Sequence, residues 1–444
     1  MAALQAGLTD QIRDERLASQ LLSGAPASSV AAVVQHLLAV QAQDLQGARL
    51  AVRARTEGLT VRDFDAALAN RSLVISWLCR GSLHLVTADD YFWLHDLTSP
   101  PLRPGCLRRL VQEGVPPEQA AQAGRLIARW LADDGPLTRD ELADRLRSRQ
   151  IPVAGQAVVH ILFHATLEGL IIRGPMKGRR QAFVLAHDWL GPRPPVRDRG
   201  QALAELVRRY LIGHAPASER DIARWAGLPL RDIRAGLDGL GAQLQERGEG
   251  FLALGERPRV PGAPPARLLG AFDPLLVGWK DRTFVTGERD ADVISGGLFR
   301  PFMLANGSAG GVWRLDGREV VVEAFEPMSE AGVAALERDA EDVRRYLRLG
   351  GPSAPDPGEV RDRTQRQPSP APFALPRASG DRSTDLSRNL AGGWIEGDLP
   401  AVQVDRPLGG DQGPDAVGQV LVVGHRAIIA PRLKSGFPQG LCGP

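Results

Sequence analysis

The sequence predicts an α+β fold of three tandem winged-helix modules, a small C-terminal β-domain and a disordered tail. Three short helices followed by a strand–turn–strand hairpin form the winged-helix arrangement. This pattern occurs over residues 118–185 and again over 199–254, with a more diverged copy over 10–86. From Gly350 onward the composition shifts to Pro, Gly, Ser and charged residues, which offer little to bury.

These observations divide the chain into five predicted segments. They are a first winged-helix module (1–115), a second with a basic hairpin tip (116–192), a third (193–258), a β-domain with a closing helix (259–349) and a low-complexity, disordered tail (350–444). One apolar island in the tail, QVLVVGHRAIIAP, is expected to be too isolated to make a core. The tail is either a flexible appendage or a segment read from an unrelated GC-rich frame.

The helices of the first module follow from capping residues and apolar spacing. SSVAAVVQHLLAV (28–40) starts with serine and has apolar residues at helical spacing. Residues 60–71 form a second helix with Thr60 as N-cap. SLVISWLCRGSLHLV (72–86) then predicts two strands with Arg80 near the turn.

The second and third modules repeat one order of elements. In the second, Thr138 and Glu141 form a capping-box signature. The helices and hairpin of this module are predicted at 118–134, 137–150, 156–170 and 171–185, and those of the third at 199–214, 217–227, 228–240 and 244–254. Residues 265–325 are predicted as short strands with hairpin turns at Asn306-Gly307 and Asp316-Gly317, and a helix over 329–349 closes the fold.

Composition excludes several classes of protein. No apolar run approaches the roughly 18 residues that span a bilayer, so no membrane association is expected. The N-terminus lacks the features of a signal peptide. Cys79, Cys106 and Cys442 are scattered, which fits a reducing cytoplasm. His160 and His164 have zinc-ligand spacing but no third ligand and apolar neighbours, so no metal or cofactor is predicted.

The segment AVQAQDLQG places Gln41 and Gln43 on either side of Ala42. An amide does not titrate near neutral pH and can only hold other groups in place. In a helix the two side chains would lie about 200° apart, whereas in extended backbone residues i and i+2 share a face. We therefore predict that the pair lies where the helix ends, aimed into a concave surface. The alternative is a solvated helix end of no functional importance.

Three sequence blocks, in this order, resemble a known family. HLLAVQAQDLQGARLAVRAR, SWLCRGSLHLV and AFDPLLVGWKDR with LFRPFMLANG are similar to signature blocks of the AlkZ/YcaQ-type winged-helix DNA glycosylases, and the resemblance covers roughly residues 10–349. It implies a monomeric, nucleoid-associated enzyme that cradles double-stranded DNA and removes N7-alkylated purines, including bulky adducts and some interstrand crosslinks. The family's glutamine–apolar–glutamine motif matches Gln41-Ala42-Gln43, which places the chain in the AlkZ-like branch. Members of that branch often protect bacteria that make DNA-alkylating natural products.

The resemblance gives the amide pair a chemical role. Alkylation at N7 fixes a positive charge on the purine, which then leaves without a general acid. Two amide oxygens can orient the attacking water and face the developing oxocarbenium ion. No lysine lies beside the pair in sequence to form a Schiff base, so a monofunctional glycosylase is expected.

Neighbouring residues are candidates for active-site support. Asp44 acts either as a base toward water or as the cap of the following turn. Arg80 and His84 either touch the DNA backbone or the bound water, or serve as packing and surface residues. Trp77 is expected in the core rather than as a stacking platform.

Basic residues outside the motif are candidate DNA contacts. Lys177, Arg179 and Arg180 lie at a hairpin tip, where they either reach phosphates or form a solvated charge run. Lys280, Arg282 and Arg300 are weaker phosphate candidates. A non-enzymatic winged-helix DNA-binding protein, such as a transcription regulator, is the alternative function, because the fold alone does not fix activity.

Overall fold

The fold is that of a computed structural model, which describes residues 2–178, 180–256, 264–349 and 419–423. Its α-helices are α1 (Ala2–Ser19), α2 (Val30–Leu37), α3 (Leu45–Arg53), α4 (Val61–Ala69), α5 (Ala88–Thr98), α6 (Arg103–Gln112), α7 (Pro117–Asp134), α8 (Arg139–Ser148), α9 (Ala157–Leu167), α10 (Ala186–Leu190), α11 (Arg199–His214), α12 (Glu219–Ala226), α13 (Leu230–Leu240), α14 (Pro274–Val277), α15 (Thr283–Thr286), α16 (Asp290–Val293) and α17 (Glu330–Leu347).

The strands of the described residues are short and mostly antiparallel. They are β1 (Val40–Gln41), β2 (Leu73–Leu78), β3 (Ser82–Thr87), β4 (Leu137–Thr138), β5 (Ile171–Lys177), β6 (Arg180–Leu185), β7 (Leu244–Glu246), β8 (Leu252–Leu254), β9 (Arg267–Leu269), β10 (Ile294–Ser295), β11 (Leu298–Phe299), β12 (Phe302–Ala305), β13 (Ser308–Asp316), β14 (Glu319–Ala324) and β15 (Gln419–Val423). A short 3-10 turn, Cys79–Gly81, joins β2 to β3.

The predicted order of three helices and a hairpin is observed in both repeats. Over 118–185 it is α7, α8, α9, β5 and β6, and over 199–254 it is α11, α12, α13, β7 and β8. Capping boxes begin two of these helices, at Thr138 with Glu141 and at Ser218 with Asp221. The predicted three-helix copy over 10–86 is different, because the four helices α1 to α4 precede its hairpin.

The hairpins of the first two predicted modules lie in one sheet. Its six strands have the order β1-β3-β2-β5-β6-β4, and the two hairpins meet where Ile75 pairs with Arg173. All six residues of β2 are buried. Trp77, in this strand, is 1% exposed and lies 5.5 Å from the ring centroid of Phe163, so its predicted core position is confirmed.

The β-domain is a five-stranded sheet of order β15-β14-β13-β12-β9. The predicted turns at Asn306-Gly307 and Asp316-Gly317 join β12 to β13 and β13 to β14. Strand β15 corrects the expectation that the apolar island of the tail is too isolated to join a folded unit, because its residues pair antiparallel with β14 from Val320↔Val423 to Ala324↔Gln419. A short apolar run can complete an existing sheet edge without a core of its own. Residues 350–418 and 424–444 lie outside the described residues.

The β-domain is joined to the N-terminal helices by close packing and buried charge. A Cβ atom at Gly47, in α3, would lie 2.2 Å from the Ala271 carbonyl oxygen, so only glycine permits this approach. Arg53, at the end of α3, pairs with Asp339 of α17 at 2.9 Å, and both side chains are buried. No helix of the described residues is long and apolar enough to cross a membrane.

Candidate active site

Helix α2 ends at Leu37, four residues before Gln41 begins the glutamine pair. Leu38 has φ 66° and ψ −46°, and the Ala39 N–H donates to the Leu37 carbonyl at 2.8 Å. This is a tight γ-turn, which is a strained conformation for a residue other than glycine. Gln41 follows in strand β1. Gln41 therefore lies beyond the end of α2 on extended backbone, whereas Gln43 lies in the bend that precedes α3. That the pair is aimed into a concave surface stays a prediction.

Strand β1 forms the edge of the six-stranded sheet. Gln41 is directly opposite His84 of β3, and the Ala42 N–H donates to the Leu83 carbonyl at 2.8 Å. Strand β3 therefore holds the backbone of Gln41 and Ala42, and the other strands of the sheet support β3.

Both amide oxygens of the pair accept hydrogen bonds from the protein. The Oε1 of Gln41, a residue that is 8% exposed, accepts from Nη2 of Arg80 at 3.3 Å. The Oε1 of the half-buried Gln43 accepts from the Leu83 N–H at 3.3 Å. A carbonyl oxygen has two lone pairs, so each oxygen keeps one lone pair for a further donor.

Asp44 is the N-cap of α3. Its Oδ1 accepts from the Gln46 N–H at 2.9 Å, and Asp44 is half-buried. The capping role given as one alternative for this residue is therefore observed.

His84 is buried behind Gln41, with 1% of its surface exposed. Its Nδ1 lies 2.9 Å from the Ser82 carbonyl, which only accepts, so Nδ1 carries the proton. Burial, and then the charge of Arg80, lower the pKa of His84 to about 3. The ring is therefore neutral near pH 7, and it offers almost no surface to a DNA phosphate.

Arg80 lies between the pair and helix α12. It has φ 49°, and its guanidinium donates to the Trp225 carbonyl at 2.6 Å as well as to Gln41. Burial lowers the pKa of Arg80. Sequence reasoning missed its partners, because the contact spans 145 positions and the acceptor is a backbone carbonyl that no side chain marks.

The basic hairpin tip carries ion pairs within the protein. Lys177 pairs with Glu141 of α8 at 2.6 Å, and Arg180 pairs with Asp140 of the same helix. Arg179 lies outside the described residues. The tip is therefore partly neutralised by the first turn of α8.

The three remaining basic candidates lie in or near the β-domain. Lys280 is exposed, and its backbone N–H donates to Asp221 at 2.9 Å. Arg282 lies 5.2 Å over the ring of Phe299. Arg300 is exposed and donates to the Asp292 carbonyl at 3.1 Å.

A cavity of about 270 Å³ begins beside the glutamine segment. It lies between the start of α3 and the β-domain sheet, and both Asp44 and Arg300 line it. Its lining residues are Asp44, Gln46, Gly47, Leu50, Ala271, Arg300, Pro301, Trp313, Arg314 and Leu315.

Two other potentially reactive side chains, Cys79 and His160, are buried. Burial raises the pKa of the Cys79 thiol to about 12 and lowers that of His160 to about 4. Among the residues that the structure describes, no group of three or more His, Cys, Asp and Glu side chains could hold a metal ion. Cys442 lies outside those residues.

Comparison with known proteins decides the family. Residues 34–346 match the family described as "DNA glycosylase AlkZ-like". The chain belongs to the AlkZ-like DNA glycosylases. A relative from Streptomyces sahachiroi, an interstrand DNA cross-link repair glycosylase, is 28% identical over 356 residues, or 74% of this chain and 94% of the relative. The solved structure of the Streptomyces sahachiroi DNA glycosylase AlkZ matches with a TM-score of 0.64 and 27% identity, covering 76% of this chain and 96% of that one.

Membership of the AlkZ-like family fixes the class of reaction. The family consists of DNA glycosylases, which hydrolyse N-glycosyl bonds, so the predicted enzyme class is confirmed. The alternative of a non-enzymatic DNA-binding protein is therefore set aside. The mixed helix and strand architecture also agrees with the solved AlkZ structure.

Proposed function

We propose that this protein removes N7-alkylated, cationic purines from double-stranded DNA, with Gln41 and Gln43 orienting the attacking water. The observation that carries the proposal is the hydrogen bonding of the pair: the amide oxygen of Gln41 accepts from Arg80, that of Gln43 accepts from the Leu83 N–H, and each retains a lone pair. The one histidine opposite the pair, His84, is neutral and buried.

The chemistry suits a site without a proton donor. A purine alkylated at N7 already carries the charge that protonation would otherwise provide, so its glycosidic bond breaks without a general acid. The amide oxygens hold the water, and their dipoles face the oxocarbenium character that develops on the sugar. An unmodified purine would need a proton that an amide cannot give. The pair therefore excludes normal bases by its chemistry.

The nucleophile in this proposal is water rather than an amine. The sequence contains three lysines, Lys177, Lys280 and Lys434. Lys177 pairs with Glu141 at a hairpin tip, and neither it nor Lys280 contacts the glutamines. Neither Lys177 nor Lys280 is therefore expected to form a Schiff base with the sugar. Base removal then leaves an abasic site in an uncleaved strand.

The size of the adduct is the second part of the proposal. The cavity of about 270 Å³ that Asp44 lines is larger than a methyl group, although neither Gln41 nor Gln43 lines it, and the Streptomyces sahachiroi relative is named for interstrand crosslink repair. We therefore include bulky guanine adducts and crosslinks of DNA-alkylating natural products among the substrates. The repeated helix and hairpin units are proposed to be winged-helix modules that, with the β-domain, cradle the duplex.

The proposal is tested by base release from duplexes that carry N7-methylguanine or N7-guanine adducts of increasing bulk. We expect abasic sites in each adducted duplex and none in unmodified DNA. Gln41→Ala and Gln43→Ala should each slow single-turnover release by about 100-fold or more. Gln122→Ala, which removes an exposed glutamine of α7, is the matched control and should keep the wild-type rate. Wild-type rates in the Gln41→Ala/Gln43→Ala double variant would show that the amides are not catalytic.

A further inference from the structure

Arg80 adopts a backbone conformation that is unusual for a side-chain-bearing residue. Its φ of 49° and ψ of 4° fall in the left-handed region, and Gly81 follows with φ 76°. Such residues persist only where surrounding contacts hold them, and they occur often at functional sites. The contacts that hold Arg80 come from two distant segments of the chain.

The first segment is the end of helix α12. Nη1 of Arg80 donates to the carbonyls of Trp225 at 2.6 Å and Arg224 at 3.3 Å. Carbonyls in the last turn of a helix lack partners within the helix and favour a cation. Gly227 ends the helix with φ 71°, and a Cβ atom there would lie 2.7 Å from the Arg80 backbone nitrogen. The free carbonyls at the end of α12 and the absence of a side chain at Gly227 therefore allow Arg80 to pack against this helix end.

The second segment is the glutamine motif. Nη2 of Arg80 donates to Oε1 of Gln41 at 3.3 Å. A guanidinium has only donors, so it determines which end of the amide faces it: the oxygen is directed to Arg80 and the NH₂ group is directed away. One side chain therefore joins the end of α12 to the amide of Gln41.

The charge of Arg80 is not used in an ion pair. No carboxylate pairs with this guanidinium in the part of the chain that the structure describes, unlike the buried Arg53 and Arg55. Its partners in those residues are two backbone carbonyls and one amide oxygen. An arginine that serves only to stabilise a junction gains most from a carboxylate partner.

We propose that Arg80 is the positioning residue of the Gln41 amide. It fixes Oε1 in the orientation in which the second lone pair accepts a hydrogen bond from the attacking water, and the end of α12 fixes Arg80. This inference rests on the catalytic role proposed for Gln41. Its consequence is that Arg80 affects the chemical step through Gln41 and not through DNA binding.

A double-mutant cycle between the two residues tests this inference. Arg80→Met removes the donors and keeps the length of the side chain. We expect single-turnover release of N7-methylguanine to slow by about 10- to 100-fold, while the Kd for the same duplex changes by less than about 3-fold. In the Gln41→Ala background Arg80→Met should cause no further loss, because the group that it positions is already absent. Arg80→Lys should recover part of the rate.

Controls separate this inference from general destabilisation and from the proposed function. Arg209→Met breaks the 2.9 Å ion pair between α11 and Asp90, which also joins distant segments of the chain. This variant should have a lower Tm but should release N7-methylguanine at the wild-type rate at temperatures below its Tm. If Arg80→Met does not fold, Arg80→Lys is carried through the same cycle, and its loss should also vanish without Gln41. The role of Arg80 would be overturned if the rate losses of the two substitutions multiplied in the double variant. It would also be overturned if a higher Kd for the duplex accounted for the slower release. A wild-type rate in Gln41→Ala alone would instead overturn the proposed function.

Discussion

Arg55 and Asp273 form an ion pair with two hydrogen bonds, and neither side chain is exposed to solvent. Nη2 of Arg55 lies 2.8 Å from Oδ1 of Asp273, and Nη1 lies 2.9 Å from Oδ2. Arg55 also donates to the side chain of Gln20 at 3.0 Å, and Asp273 accepts from the Leu275 N–H at 2.9 Å. The segment that follows the glutamine motif is thereby fixed to the start of the β-domain.

Removing one partner of this pair should be costly. Asp273→Asn leaves a buried guanidinium without its counter-charge, and we expect a loss of about 3 to 5 kcal/mol in the free energy of unfolding. Arg129→Ala breaks an exposed pair with Asp133, in which the side chains are 79% and 62% exposed, and should cost less than about 1 kcal/mol. Urea denaturation measures both. Equal, small losses would mean that the buried pair does not hold the two regions together.

Strand β15 should protect the edge of the β-domain sheet. It covers β14, whose residues Val320 and Val322 are fully buried. A chain that ends at Leu349 lacks this strand, so alternate amides of β14 lose their hydrogen-bond partners. We expect faster hydrogen exchange at those amides, with unchanged exchange in β12, measured by NMR or mass spectrometry. Equal protection of β14 in both chains would contradict the pairing.

Local features of the fold could be predicted from the sequence. The capping box at Thr138 and Glu141, the turn at Asn306-Gly307 and the end of α2 before Gln41 depend on residues within four or five positions of one another. Alternation of helices and hairpins follows from periodicity in the same way. The position of Gln41 beyond the end of α2 follows from such local signals, whereas the bend at Gln43 does not.

Contacts between distant segments could not be predicted in this way. The Arg80 guanidinium reaches Trp225 through a backbone carbonyl, and β15 pairs with a strand about one hundred positions earlier. Such contacts depend on how complete elements pack, and no local pattern in one sequence encodes them. The sequence left open whether His84 packs in the interior or contacts DNA, and its burial depends on the position of β3 between β1 and β2.

The stability of the protein should fall as the pH drops below about 6.5. Burial lowers the pKa of His84 and His214 to about 3 and that of His160 to about 4. In the unfolded chain these histidines bind protons near pH 6.5, whereas in the folded chain they stay neutral at that pH. The free energy of unfolding therefore falls as the pH drops from about 6.5 to the folded pKa values. Urea denaturation from pH 7.5 to 4.5 measures the slope. His214→Phe should flatten it, because this substitution removes one of the buried histidines whose pKa is lowered.

The chemical step should show no such dependence. His84 is neutral throughout the range from pH 6.5 to 9 because its pKa is about 3, and the amides of Gln41 and Gln43 do not titrate. Since a cationic purine needs no added proton, single-turnover release should be constant over this range. A bell-shaped profile with a limb near pH 7 would require a general acid or base that the proposed mechanism lacks.

The basic hairpin tip should contribute salt-dependent affinity for DNA. Replacing Lys177, Arg179 and Arg180 with alanine should lower the slope of log K against log salt concentration by about 2 to 3, since each phosphate contact contributes about 0.9. Arg180 is paired with Asp140, so Asp140→Asn removes the counter-charge of Arg180 and should tighten DNA binding at low salt. Fluorescence anisotropy over a range of salt concentrations measures both effects, with Arg129→Ala as the control. An unchanged slope in the triple variant would place the tip outside the DNA interface, and Lys280, Arg282 and Arg300 would then be the next residues to replace.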